Sequence, residues 1–158
     1  MIGVLFVCLG NICRSPAGEA LFRKLASEAG VAGVEVDSCG LGDWHKGKLA
    51  DPRMRKAAGE RGLALESRAS SFNERFFDDY QYILAADRSI LHELKARARG
   101  PSDLDRLYLL GDFGEKHKGE DVPDPFHGTV EDFELSLDIL EDHCEGFLAY
   151  LLDQINPL

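Results

Sequence analysis

The chain has 158 residues, of which 44% are hydrophobic and 29% charged, so one globular domain spanning residues 1–158 is expected. Asp and Glu number 28 against 18 Lys and Arg, a formal net charge of -10. This acidic balance argues against nonspecific nucleic-acid binding, which needs basic patches. The start MIGVLFV lacks the features of a secretory signal and no segment is long enough to cross a membrane, so a cytoplasmic protein with no membrane partner is expected.

The first elements of the chain alternate between strand and helix. Residues 2–7 form a continuous apolar run, which is typical of a buried parallel strand. Ser15 and Pro16 then predict the start of a helix, with Ser15 as its N-cap and Gly30 at its end. The further expected elements are, in order, a strand at 34–38, a loop at 39–50, a helix at 52–62, a strand at 82–85, a helix at 89–98, a strand at 107–110, a polar loop at 111–129 and a helix at 130–155.

Strands that alternate with helices in this way predict an α/β fold. We expect a three-layer, doubly wound sandwich with a central four-stranded parallel sheet. In such sheets ligands bind beyond the carboxyl ends of the strands. Because residues 8–15 directly follow the first strand, they are expected to form a phosphate-binding loop at that edge.

The loop CLGNICRS at residues 8–15 has the composition of an anion site. Gly10 and Asn11 tolerate the left-handed conformations that let successive N–H groups converge. The helix that follows contributes the positive end of its dipole, and Arg14 can bind two phosphate oxygens with its planar guanidinium group. The loop is therefore predicted to hold phosphate or another tetrahedral oxyanion.

Cys8 would lie at the base of this loop. The donors that bind phosphate also stabilise a thiolate, and a thiolate below a phosphate is a nucleophile in line with the leaving group. In this interpretation Ser15 donates its hydroxyl to the thiolate and Asn11 braces the loop through its side chain.

The cysteines fit a metal site or a structural disulfide less well. A zinc site is not expected, because Cys8 and Cys13 lack a second pair of ligands. A structural disulfide is disfavoured in a reducing compartment, and Cys39 and Cys144 are best interpreted as small core residues. We therefore expect neither a metal nor a cofactor.

Here the sequence resembles a known family. VCLGNICRSP resembles the signature of the low-molecular-weight protein-tyrosine phosphatases, and the similarity covers nearly the whole chain. It continues, in the same order, through VDSCGLGDW at 36–44, DPR at 51–53, LLGD at 109–112 and VPDPF at 122–126. The resemblance implies a cysteine-dependent phosphatase that hydrolyses phosphotyrosine in proteins or peptides, and small aryl phosphates, through a phosphocysteine intermediate.

The resemblance also implies the roles of individual residues. Cys8 is the nucleophile, Arg14 clamps the phosphate, and Asp124 is the general acid that later acts as base. Without the family, Asp124-Pro125 would be interpreted as a turn. The implied substrate-binding residues are Leu9, Gly10, Asn11, Ile12, Cys13, Ser15, Trp44 and Phe126, of which Leu9, Trp44 and Phe126 are expected to wall the pocket.

Two positions depart from the family pattern. Many members have two tyrosines after Asp-Pro, whereas this chain has Phe126 and His127, so regulation by phosphorylation at these positions is excluded. Leu65 takes the place of a common histidine, which leaves open how Asn11 is supported.

Several alternatives stay open at this point. A related class removes phosphate from arginine and tends to carry Thr where this chain has Ile12. Arsenate reductases of similar fold need further cysteines, and none lies between Cys39 and Cys144. A noncatalytic phosphate-binding module would need neither a nucleophile nor an acid. Cys13 is either a packing residue or the partner in a reversible disulfide that protects oxidised Cys8.

Overall fold

A computed structural model of the chain describes residues 1–156. Its elements are β1 (Ile2–Cys8), α1 (Arg14–Glu28), β2 (Val34–Gly40), α2 (Pro52–Gly59), α3 (Phe76–Asp79), β3 (Tyr82–Ala85), α4 (Arg88–Arg97), α5 (Pro101–Leu104), β4 (Leu107–Leu109), a 3₁₀ helix at Leu110–Phe113 and α6 (Val130–Ile155). None of these helices has the length and apolar character needed to cross a membrane.

The four strands form one parallel sheet in the order β2-β1-β3-β4. β1 lies in the middle, which explains its continuous apolar run, since residues 3–8 are all buried. The register places Cys8 opposite Gly40, so both stand at the carboxyl edge of the sheet. The α/β class and the four parallel strands predicted from the sequence are confirmed.

Side chains alternate along β1 between two separate cores. Val4, Phe6 and Cys8 pack on one face with residues of α1 and α6, whereas Leu5 and Val7 pack on the other face with residues of α3 and α4. Helices therefore cover both faces, as the predicted three-layer sandwich requires.

Some element boundaries differ from the expected ones. α1 begins at Arg14 with Cys13 at the N-cap, so the prediction of Ser15 as N-cap is wrong: its hydroxyl contacts other side chains of the loop. α2 ends at Gly59, three residues early, because the chain turns there through Gly62, which has a positive φ of 80°. α3 and α5 were not expected, since four residues are too short to show a helical period.

The predicted polar loop at 111–129 is well anchored. Asp142 of α6 accepts hydrogen bonds from the backbone N–H groups of Glu115, Lys116 and His117. Further along, the N–H of Val122 donates to the carbonyl of Ala86 over 2.9 Å, just beyond β3. The loop therefore returns to the carboxyl edge of the sheet immediately before Asp124.

Candidate active site

The loop that follows β1 directs its carbonyl groups into the surrounding chain. Three of them accept backbone hydrogen bonds: Cys8 from Leu41 (3.0 Å), Leu9 from Gly42 (3.0 Å) and Ile12 from Asp51 (2.8 Å). By contrast, the N–H groups of residues 10–13 donate to no acceptor within residues 1–156. Backbone donors in a protein interior are nearly always paired, so this row of free N–H groups is a ready site for an anion.

The loop lies directly against the end of β2. A Cβ atom on Gly40 would lie 2.8 Å from the carbonyl oxygen of Leu9 and 2.9 Å from the nitrogen of Asn11. Both neighbours are backbone atoms, which cannot move aside as a flexible side chain can. Glycine at position 40 therefore allows the loop to settle on the sheet edge.

Asn11 braces the loop from inside. It adopts the expected left-handed conformation, with φ of 59°. Its Nδ2 donates to Ser15 Oγ over 2.7 Å and to Ser38 Oγ over 3.0 Å, while its Oδ1 accepts from the N–H of Ser70 over 2.9 Å. Leu65 is buried in the apolar core. The backbone of Ser70 thus gives Asn11 a hydrogen bond without any histidine.

Cys8 lies at the base of the loop with Ser15 beside it. Its Sγ is buried and lies 2.9 Å from Ser15 Oγ, which also has the carbonyl of Cys39 within 3.3 Å. Cys39 itself belongs to the core on the opposite face of the sheet. Ser15 is therefore the side-chain partner of the Cys8 sulfur.

Arg14 is buried and held from one side. Its Nη1 donates to Asp87 Oδ2 over 2.6 Å and to the carbonyl of Val122 over 3.0 Å, and its Nη2 lies 3.7 Å from Asp124 Oδ2. Burial alone would lower the pKa of Arg14, but the neighbouring Cys8 and Asp87 raise it above the ordinary value. The guanidinium group is therefore a fixed cation beside the Cys8 sulfur.

Asp87 was missed in the sequence, although a signal was present. It stands two residues beyond β3 and caps α4, accepting from the N–H of Ile90 over 2.8 Å. An acidic N-cap that follows a strand neighbouring β1 must lie at the carboxyl edge of the sheet. That position places Asp87 next to Arg14.

Asp124 stands at the opening above the loop. Its side chain is 43% exposed, and its Oδ1 accepts from the N–H of Phe126 over 3.2 Å. Arg53 holds this segment: its Nη2 donates to the carbonyl of Phe126 over 2.9 Å, and it also pairs with Asp51 at 2.8 Å. Asp124 therefore lies beside the guanidinium group of Arg14 and lines the same cavity as Cys8, while remaining open to solvent.

These groups surround a cavity of about 220 Å³. It is lined by Cys8, Leu9, Gly10, Ile12, Cys13, Arg14, Trp44, His45, Asp124, Phe126 and His127. Leu9 and Trp44 are 44% and 64% exposed, so apolar surface is available at the mouth. Pockets for drug-sized ligands measure roughly 300–1,000 Å³, and a smaller volume suits one phosphorylated side chain.

The structure brings together all the candidate residues from the sequence. Nine of the eleven line the cavity, and the other two, Asn11 and Ser15, brace the loop from behind. His45 and His127 also line the cavity. Among the described residues, no cluster of three or more His, Cys, Asp or Glu side chains could hold a metal ion.

Cys13 forms part of the cavity wall. It is a free thiol, and its pKa is raised, first by burial and then by the neighbouring Asp51 and Cys8. Cys39 and Cys144 are free, completely buried thiols within the apolar cores, as expected of packing residues.

Comparison with known proteins gives consistent results. Residues 3–156 match the family model "Low molecular weight phosphotyrosine protein phosphatase". A low molecular weight protein-tyrosine-phosphatase of Streptomyces coelicolor is 37% identical over 155 residues, covering 96% of this chain and 94% of the relative.

Solved structures are similar over the same length. A protein tyrosine phosphatase from Entamoeba histolytica, with Hepes in its active site, has a TM-score of 0.94 and 35% identity and covers 99% of this chain and 100% of its own. An arginine phosphatase from Drosophila has a TM-score of 0.87 and 32% identity, with coverage of 96% and 98%. Both tyrosine and arginine phosphatases therefore share this architecture.

Proposed function

The chain belongs to the low molecular weight protein-tyrosine phosphatase family of hydrolases, and we propose that it hydrolyses phosphotyrosine in proteins or peptides, and small aryl phosphates. Residues 1–158 would form one catalytic domain. The observation that carries the proposal is the row of free N–H groups at residues 10–13, beside buried Arg14 and around the Cys8 sulfur.

The substrate phosphate binds to the hydrogen-bond donors at the base of the cavity. The free loop N–H groups and Arg14, through Nη2, bind the phosphate oxygens, and the same donors stabilise the charge that these oxygens carry during transfer. Leu9, Trp44 and Phe126 contact the aromatic ring. Binding in this way holds the phosphorus next to the Cys8 sulfur.

In the first step the Cys8 thiolate attacks phosphorus. A bond forms between sulfur and phosphorus as the bond from phosphorus to the leaving oxygen breaks. The Asp124 carboxyl group gives its proton to that oxygen, so the product leaves as a neutral phenol.

In the second step the phosphocysteine is hydrolysed. The Asp124 carboxylate takes a proton from a water molecule, whose oxygen attacks phosphorus as the sulfur–phosphorus bond breaks. Ser15 donates a hydrogen bond to the departing Cys8 thiolate. Free thiolate and reprotonated Asp124 are the starting state again, and inorganic phosphate leaves.

The competing substrate is phosphoarginine. The Drosophila relative is named as an arginine phosphatase, so the architecture alone does not select the substrate. In this chain Ile12 lines the cavity and offers no hydroxyl to a guanidinium group, whereas its apolar side chain suits an aryl ring. We therefore place phosphotyrosine first and phosphoarginine second.

A direct test uses p-nitrophenyl phosphate. The purified protein is expected to hydrolyse it without added metal, EDTA is expected to have no effect, and Cys8→Ser is expected to abolish turnover. Continued turnover by Cys8→Ser would contradict the mechanism. The ratio of kcat/KM for a phosphotyrosine peptide to that for its phosphoarginine counterpart then decides the substrate class.

A further inference from the structure

A buried carboxylate lies behind the loop and outside the catalytic steps described above. Glu19 of α1 is only 5% exposed. Its Oε1 accepts from Ser38 Oγ over 2.6 Å, and its Oε2 accepts from Arg23 Nη2 over 2.9 Å. Carboxylates are rarely buried so deeply, and both oxygens of this one are occupied.

The contact with Glu19 determines which way Ser38 donates. A carboxylate only accepts hydrogen bonds, so the single hydroxyl hydrogen of Ser38 is directed to Glu19. Towards Asn11, 3.0 Å away, the same hydroxyl oxygen acts as an acceptor.

The orientation of the Asn11 amide follows from its neighbours. Its oxygen must face the N–H of Ser70, so its NH₂ group faces the two serines. One hydrogen binds Ser38 and the other binds Ser15. Each contact supports the same orientation, because a flipped amide would place two donors face to face at Ser70.

The last member of this series of hydrogen bonds is Ser15. Because its oxygen receives a hydrogen from Asn11, its own hydrogen remains for the Cys8 sulfur at 2.9 Å or the Cys39 carbonyl at 3.3 Å. An ionised sulfur is the stronger acceptor, so ionisation of Cys8 draws the hydrogen towards it.

We propose that Glu19 is a positioning residue which, through Ser38, Asn11 and Ser15, directs a hydrogen bond onto the Cys8 thiolate. It contacts neither substrate nor sulfur. The effect of Glu19 on turnover rests on the proposed function, whereas its effect on the reactivity of the Cys8 thiolate can be measured without turnover.

Glu19→Gln keeps the size of the side chain and changes the direction of donation. If the new amide keeps its oxygen on Arg23, it presents its NH₂ group to Ser38. Ser38 then loses the fixed acceptor for its hydrogen, so its hydroxyl group can rotate and no longer presents a fixed acceptor to Asn11. The hydrogen of Ser15 is then less often directed to the sulfur.

The experiment measures the rate of inactivation by iodoacetamide across pH, because this reagent alkylates the thiolate and needs no turnover. The midpoint of the profile for Glu19→Gln is expected to lie about one pH unit above the parent, since a hydrogen bond to a charged group has that order of effect. Ser38→Ala interrupts the same series of hydrogen bonds and is expected to shift the midpoint similarly. The double variant is expected to shift no further, because both changes act through one path.

Glu60→Gln is the matched control. Glu60 also pairs with a basic residue one turn away, Lys56, but it is exposed at the C-cap of α2. Its midpoint is expected to equal that of the parent. Thermal unfolding of each variant shows whether it is folded.

An unchanged midpoint in folded Glu19→Gln overturns the proposal. A lower melting temperature with an unchanged midpoint would show that Glu19 has only a structural role. If Glu19→Gln does not fold, Ser38→Ala decides: an unchanged midpoint there also overturns it, and an upward shift supports it. A parent protein without phosphatase activity would refute the proposed function, whereas the alkylation profiles would still decide the role of Glu19.

Discussion

Arg14 Nη1 lies 2.6 Å from Asp87 Oδ2, so the arginine of the phosphate-binding loop is paired with the residue that caps α4. The pair joins the chain after β1 to the chain after β3. It leaves Nη2, which lies 3.7 Å from Asp124 Oδ2, as the guanidinium nitrogen that can donate to a phosphate oxygen.

Asp87→Asn tests this pair. Asn caps a helix about as well as Asp, so the helix should be preserved while the charge is lost. We expect kcat/KM for p-nitrophenyl phosphate to fall, and the inhibition constant of inorganic phosphate to rise, by about 10-fold or more, the range of one hydrogen bond to a charged group. Asp87→Ala should in addition lose about 1 kcal/mol of stability with the cap. Wild-type phosphate inhibition in Asp87→Asn would show that Arg14 needs no charged partner at position 87.

Asn11 has two separable contributions, its backbone conformation and its side-chain bonds. Asn11→Gly keeps easy access to the left-handed conformation but loses the bonds, whereas Asn11→Ala also strains the backbone by about 1 kcal/mol. Both variants are expected to lose about 10-fold in kcat, with a lower melting temperature for Asn11→Ala. Equal kcat in Asn11→Gly and the parent would remove the bracing role of the side chain.

Asp124→Ala tests the general acid. Poor leaving groups depend on protonation more than good ones, so turnover of phenyl phosphate is expected to fall about 100-fold or more and that of p-nitrophenyl phosphate much less. Steady-state kcat over a series of aryl phosphates measures the difference. Equal losses along the series would assign Asp124 a different role.

Cys13 lies in the cavity wall close to Cys8, where a reversible disulfide between the two would protect the nucleophile from overoxidation. In Cys13→Ser, peroxide is expected to inactivate the protein in a way that thiols reverse only partly, whereas the parent recovers. Recovery of activity after dithiothreitol measures this. Full recovery in both proteins would leave Cys13 as a packing residue.

The burial of His143 leads us to expect that the stability of the protein depends on pH. Burial lowers its pKa, although the carbonyl of His117 and the carboxylates of Asp142 and Glu120 partly offset this. The unfolded chain therefore binds more protons below about pH 6.5, and stability is lost as pH falls through that value. The pKa of Asp142 is also lowered, because the effect of its backbone hydrogen bonds outweighs that of burial. Protonation of Asp142 therefore affects stability only at more acidic pH.

His143→Gln should flatten that dependence. Its melting temperature is expected to change less than that of the parent between about pH 7.5 and 5, the range that spans the ordinary histidine pKa. His92→Gln, an exposed histidine on α4, serves as the control and should keep the parent slope. An equal slope in His143→Gln and the parent would contradict the assignment.

The sequence was sufficient for the sheet and for the loop because both depend on local patterns. The apolar run of β1 and the order Gly10, Asn11, Arg14 predicted a buried strand and an anion loop at its end. Asp124, by contrast, is indistinguishable from a turn residue without the family. The cytoplasmic location remains a prediction.

The partners of the loop residues could not be predicted because they are distant in the chain. Ser70 is 59 residues from Asn11, and Asp87 is 73 residues from Arg14. Nothing local marks a backbone N–H at Ser70 as a substitute for a side chain. Only the packing of β2 and β3 on either side of β1 brings these groups to the loop.

Gly40 limits how this loop can be exchanged between proteins. The backbone of Leu9 and Asn11 occupies the volume that a side chain at position 40 would need. The loop therefore fits only beside a strand that has glycine at this position. A graft of residues 8–15 onto another parallel sheet would need glycine at the equivalent position of the neighbouring strand. Combinatorial libraries that randomise the loop should leave Gly40 unchanged.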